Sequence, residues 1–213
     1  MRFLTALVVL ALTSQPAMAD YAVWADGKEG LSLSYPDTWH QISNFQPDDL
    51  VTIIAPGNGQ NATCRVKARE ERRYMMYPVR LADAVQRVHL SEEFWREYLA
   101  QYENVNLQFV QDGASFGRAA GSFATASYAI KHPANGQTRS GILAAGINRD
   151  RLYILECSTS QESFMAMRPM FLSILKSVDM KKRVHELKQG DYADFRDYQI
   201  EYGAQNKKYF ERH

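Results

Sequence analysis

The chain lacks the features that announce most enzymes. It has no Gly-x-Gly-x-x-Gly turn and no phosphate-binding loop, so the nucleotide enzymes defined by those motifs lose their main support. It has no Gly-x-Ser-x-Gly elbow, which removes the same support for an α/β-hydrolase. The five histidines, His40, His89, His132, His185 and His213, are scattered and form no His-Glu-x-x-His. His89 beside Glu92 and Glu93 comes nearest to a metal pair, but zinc needs three or four convergent ligands. No metal site and no cofactor is expected, and no catalytic residues are assigned. Charge of one sign is lacking too. The chain carries 25 basic and 24 acidic side chains, so electrostatics make no case for nucleic acid or an acidic membrane as partner. Cysteine is scarce, at two residues, and there is no internal repeat or low-complexity tract.

What is present begins with an address. Met1-Arg2 gives a short positive start, Phe3 to Leu12 an apolar run broken only by Thr5, and Ala17-Met18-Ala19 a small-x-small site before Asp20. This is the pattern of a secretory signal cleaved between Ala19 and Asp20. The run is well short of the roughly 20 residues that span a bilayer, so no stable membrane insertion is expected after cleavage. No cysteine stands at the cleavage point to carry a lipid. Removal of residues 1–19 takes away Arg2 alone among the charges and leaves basic and acidic side chains equal in number. The expectation is a periplasmic or secreted protein.

That compartment decides how the cysteines are read. Cys64 and Cys157 both lie in the mature part, and an oxidising environment makes an even pair most simply a disulfide. It would close a loop of roughly 90 residues, worth about 4 to 5 kcal/mol by loop-closure entropy. Two separate buried thiols are the alternative. A Cys157 nucleophile served by a distant histidine, as in an exported thiol hydrolase, is a further one.

Along the chain, Leu31, Leu33 and Tyr35 alternate with Ser32 and Ser34 up to Pro36-Asp37, which reads as a strand entering a turn. Leu50 to Ala55 and Thr63 to Arg69 form two further strands around Pro56-Gly57-Asn58-Gly59. In the second, Cys64, Val66 and Ala68 face one way and Arg65, Lys67 and Arg69 the other. That basic face could hold a small anion; interruption by Glu70 and Glu71 makes a solvated sheet surface the simpler reading. The period turns helical from Leu81 to Tyr102. Leu81, Ala84, Val85 and Val88 make one stripe, and Phe94, Trp95, Tyr98, Leu99 and Tyr102 make another after a break near His89 and Leu90 with Ser91 as cap. Strand character returns at Val105 to Val110, a loose turn falls in Gly113 to Gly121, and Ser122 to Ile130, Gly141 to Asn148 and Leu152 to Cys157 read as a meander with Asn135-Gly136 in one connection. Thr159 and Glu162 have capping-box spacing before an amphipathic helix through Phe164, Met167, Phe171, Ile174, Leu175 and Val178, which Pro169 should kink or effectively start. From Met180 the chain becomes charged, and Tyr192, Phe195, Tyr198 and Tyr202 recur at three and four residues as a narrow aromatic stripe. The stripe suits packing on its own domain or docking to a partner or second copy.

Six or seven strands in hairpin order with helices in the middle and at the end predict an α+β protein, an antiparallel sheet covered by helices. The divisions are a signal at 1–19, a domain at 20–179 and a helical tail at 180–213.

Leu31-Ser-Leu-Ser-Tyr-Pro-Asp-Thr-Trp39, taken with Arg151-Leu-Tyr-Ile-Leu-Glu-Cys-Ser-Thr159, Phe164, Arg168-Pro169-Met170-Phe171, Ile174 and Ser177-Val178, resembles the PsbP-like sandwich family over about Tyr21 to Asp179. In that family a strand ending in Tyr-Pro-x-x-Trp opens the domain, and a strand leading into a Phe-rich helix closes it. The resemblance implies a non-enzymatic binding or accessory role and carries over no binding residue. The resulting expectation is an exported accessory protein that meets an envelope protein, or itself, through the tail. A carrier of a small anionic or lipidic ligand is the alternative.

Overall fold

The computed structural model describes residues 20–28, 30–42, 47–57, 61–71, 89–117, 119–130, 137–148 and 151–180. The expected signal at 1–19, the Leu81 to Val88 stripe, the Asn135-Gly136 turn and the tail stripe at Tyr192, Phe195, Tyr198 and Tyr202 lie outside these residues.

The strands are β1 (Tyr21–Ala25), β2 (Leu31–Pro36), β3 (His40–Ile42), β4 (Asp49–Ile54), β5 (Thr63–Glu70), β6 (Glu103–Phe116), β7 (Ala119–Ala129), β8 (Thr138–Asn148), β9 (Arg151–Ser160) and β10 (Asp179–Met180). The helices are α1 (Glu92–Leu99) and α2 (Phe164–Lys176), the latter entered through a 3₁₀ turn at Gln161–Ser163. Seven strands pair antiparallel in the order β3-β4-β5-β9-β8-β7-β6, and β1-β2-β10 form a separate three-stranded sheet. The α+β expectation is met. The second sheet was not anticipated; β10 is two residues long, too short for a period to register, and β1 has no fully buried residue.

Both faces of the large sheet are sealed. On one, Cys64, Val66, Phe123, Ile142, Tyr153 and Leu155 pack against Leu31, Leu33 and Tyr35 of β2 and against Phe164, Phe171, Ile174 and Leu175 of α2. Trp39 closes this layer edge-on to Phe171, ring centroids 6.4 Å apart. On the other, Phe94, Trp95 and Leu99 of α1 lie on Ala124, Ala126, Leu143, Ala145, Ile147, Leu152 and Ile154. Alanines at the sheet surface let the large α1 rings approach, and Trp95 Nε1 donates to Ser122 Oγ at 2.7 Å. Burial on two faces explains why Leu152 to Leu155 reads as an unbroken apolar run.

Cys64 and Cys157 stand directly opposite each other across β5 and β9 and form the expected disulfide, buried under α2. Among the described residues no cysteine is free, which removes the thiol-hydrolase reading of Cys157. Three other details differ from expectation. The loose turn at Gly113 to Gly121 is mostly strand: β6 continues to Phe116, with Gly113 (φ 67°) taking up a register shift and Gly117 (φ 60°) the turn. The Thr159–Glu162 box does not form, because pairing with β8 keeps Thr159 and Ser160 extended; Ser163 is the N-cap and makes no side-chain cap bond. Pro169 does not start α2, which begins at Phe164 and includes it. Ser91 caps α1 by position, again without a side-chain bond.

Candidate functional site

β-strand alternation puts Arg65, Lys67 and Arg69 on the face opposite Cys64, as read from sequence, but that face is not solvated at Arg65 and Lys67. Lys67 is 5% exposed. The α1 segment covers the region, and beneath it lies a polar cluster that the sequence did not single out. Its centre is Glu156 on β9, directly opposite Arg65 in register and 5% exposed. Tyr98 donates to Glu156 Oε2 at 2.6 Å, and Tyr102 lies 2.8 Å from Oε1. Tyr128 donates to Oε1 as well, and Arg65 Nη2 reaches Oε2 at 3.1 Å. Arg65 also donates to the Tyr102 hydroxyl at 2.9 Å and stands 3.8 Å from Asp49. The Tyr102 and Tyr128 rings stack with centroids 4.2 Å apart, while Lys67 Nζ lies 5.9 Å from the Tyr98 ring centroid.

The titration of these groups follows from the packing. Burial works to raise the Glu156 carboxyl, but Arg65 and the three hydroxyl donors outweigh it and hold it below the usual carboxylate range. Burial raises Tyr98, Tyr102 and Tyr128, and the Glu156 charge raises them further. Burial and neighbouring Arg65 push Lys67 down. Four donors on two oxygens nearly exhaust what a carboxylate can accept. The cluster is therefore suited to holding α1 and the residues after it on the sheet, and poorly suited to moving protons.

A second buried cation, Arg139 on β8, lies on the same face. Its Nε donates to Ser158 Oγ at 3.1 Å, and its Nη2 to Ser158 O at 2.8 Å, Asn61 O at 2.6 Å and Thr63 Oγ1 at 3.2 Å. His89 Nε2 lies 3.4 Å from Glu71 Oε2, a buried carboxylate. Among the described residues no group of three or more metal-ligating side chains occurs. Tyr98 and Tyr102, four apart on one face, were the available signal for the cluster; the remaining members come from β5, β7 and β9 and share no local pattern.

Fold and site define a class: a two-faced antiparallel sandwich whose buried charges hold its layers together. The chain belongs to the PsbP family, whose model matches residues 19–180. It is similar to cyanobacterial PsbP (CyanoP) from Synechocystis, with 16% identity over 80% of this chain and 99% of that one and a TM-score of 0.51. It is also similar to LpqN, involved in cell envelope biogenesis in Mycobacterium tuberculosis, with 13% identity over 76% of this chain and 91% of that one and a TM-score of 0.51. These likenesses establish the fold. No curated protein sequence matches the chain significantly.

Proposed function

We propose that this PsbP-family protein is exported and serves as a non-catalytic accessory protein of the periplasm or cell envelope, acting by binding another protein, with residues after Met180 carrying the contact. The observation that supports this most is the saturation of Glu156: the buried acid that could have served a reaction is spent on joining α1 to the sheet. Family membership, the disulfide and the leader pattern at Ala19 and Asp20 favour the same reading. Among the described residues no helix is long and apolar enough to cross a membrane. The aromatic stripe at Tyr192, Phe195, Tyr198 and Tyr202 supplies a surface of the kind an amphipathic docking helix uses. N-terminal sequencing of the protein from an envelope fraction should begin at Asp20. Crosslinking there should capture a partner, or a second copy, with the full chain and not with a chain ending at Met180. Equal capture by both, or a retained leader, would overturn the reading.

The carrier alternative loses Arg65 and Lys67 as an open anion face, since Glu156, Asp49 and α1 occupy that surface. Arg69 lies on the same side of β5.

A further inference from the structure

Most buried charges on the α1 face stand close to an opposite charge. Arg65 has Glu156 and Asp49, and Glu71 has His89. Arg139 does not. It is 7% exposed, yet every hydrogen bond it makes ends on a neutral oxygen of Ser158, Asn61 or Thr63. Glu162, the nearest carboxylate along the chain from β9, is exposed and makes no ion pair with it. The connections at this end of the sheet, 55–62 and 130–137, contain no Asp or Glu. Burial of a guanidinium is costly unless an opposite charge or full hydrogen bonding offsets it. Here the hydrogen bonding is incomplete on one side: Nε and Nη2 are engaged, while Nη1 makes no hydrogen bond to a described residue and is not among the buried polar atoms without a partner.

We propose that the Nη1 edge of Arg139 is a binding site for a carboxylate. The guanidinium is held in one orientation by its four bonds, so little rotamer freedom remains to be lost when an anion arrives. Thr63 Oγ1 accepts from Arg139 Nη2 and keeps its own hydrogen, a second donor beside the guanidinium. One positive charge with one open nitrogen matches a monovalent carboxylate; a phosphate dianion is usually met by more donors than this edge offers. The carboxylate can belong to an acidic side chain of a partner polypeptide or to a free small acid. The site rests on described residues alone, so it stands or falls separately from the role proposed for the tail.

The test is an NMR titration of the ¹⁵N-labelled mature chain with acetate. Saturable shifts are expected at the Arg139 Nε–H and at the amides of Asn61 and Ser160, weakened about tenfold or more in Arg139→Lys and lost in Arg139→Gln. If either variant fails to fold, the localisation of the shifts in the natural protein decides alone. Shifts spread over exposed lysines and arginines, or none, would overturn the proposal. Tighter binding of inorganic phosphate at the same residues would overturn the carboxylate assignment. A blocked glutamate peptide, compared with its glutamine counterpart, separates the sources: binding tighter than acetate identifies a polypeptide side chain, and binding equal to acetate identifies a free acid, both upholding the site.

Discussion

At the scale of single residues, Glu156 carries the most consequence. It is ionised, buried and held by Arg65 and three tyrosines, so removing its charge strands Arg65 and leaves three hydroxyls aimed at a poorer acceptor. Glu156→Gln should cost about 3 to 5 kcal/mol in urea unfolding, the range for breaking a buried pair from one side. Tyr128→Phe should cost about 1 to 3 kcal/mol, and the two losses should be strongly non-additive. Additive losses would mean that the groups act independently. The pH dependence follows with a definite sign. The folded carboxyl titrates below its unfolded value of roughly 4.3, so its contribution is present above that pH and is lost as pH falls through the folded pKa. Urea midpoints measured against pH should therefore drop on the acid side, and the Glu156→Gln curve should be flatter there; parallel curves would refute the assignment. Alternation along Thr63 to Arg69 revealed which way Arg65 and Lys67 face. It could not say whether that side meets water or a second core, and here it meets α1.

At the scale of elements, the Phe116 side chain of β6 reaches across to β8 with little slack. A Cβ added at Gly146 would meet Phe116 Cβ at 2.8 Å and Cδ1 at 3.0 Å. Gly146→Ala should thus cost about 1 to 3 kcal/mol by overpacking, and its combination with Phe116→Gly, which removes the contacting Cβ, should cost less than the sum of the two single changes. Thermal melts of the four proteins in that cycle would decide; additive losses would place the strain in the backbone instead. This contact was not legible in the sequence, because Gly113 to Gly121 looks like a turn until the register shift at Gly113 returns the chain to strand. By contrast, β2 and the α2 face were legible, since each buries one face at a regular period: Leu31, Leu33 and Tyr35 in β2, and Phe164, Phe171, Ile174 and Leu175 in α2. The Glu156 cluster escaped for the opposite reason, its members being spread from Arg65 to Glu156 with only Tyr98 and Tyr102 in local register.

At the scale of the whole molecule, two links decide how the described residues hold together. The disulfide joins positions 93 apart in sequence at the centre of the large sheet. Replacing both Cys64 and Cys157 by alanine should cost about 4 kcal/mol, read as a lower urea midpoint with the fold retained by circular dichroism. The other link is β10. Met180, which sequence pattern placed at the start of the tail, pairs with Leu31 and is 3% exposed, packed near Gly117 with its sulfur 3.3 Å from Asn148 Nδ2. Nearby, Ser177 Oγ accepts from the Ser34 amide at 2.9 Å and fastens the end of α2 to β2. A truncation meant to test the tail must therefore keep Met180. Deleting 181–213 should leave the melting temperature within a few degrees, because the strand pairing and Ser177 contact survive, while abolishing partner capture or changing the assembly state seen by light scattering. Deleting 180–213 should lower stability by about 2 to 4 kcal/mol more, as a buried methionine is lost from the core. If the shorter deletion alone melts the domain, the tail belongs to the fold, and the docking role assigned to Tyr192, Phe195, Tyr198 and Tyr202 fails.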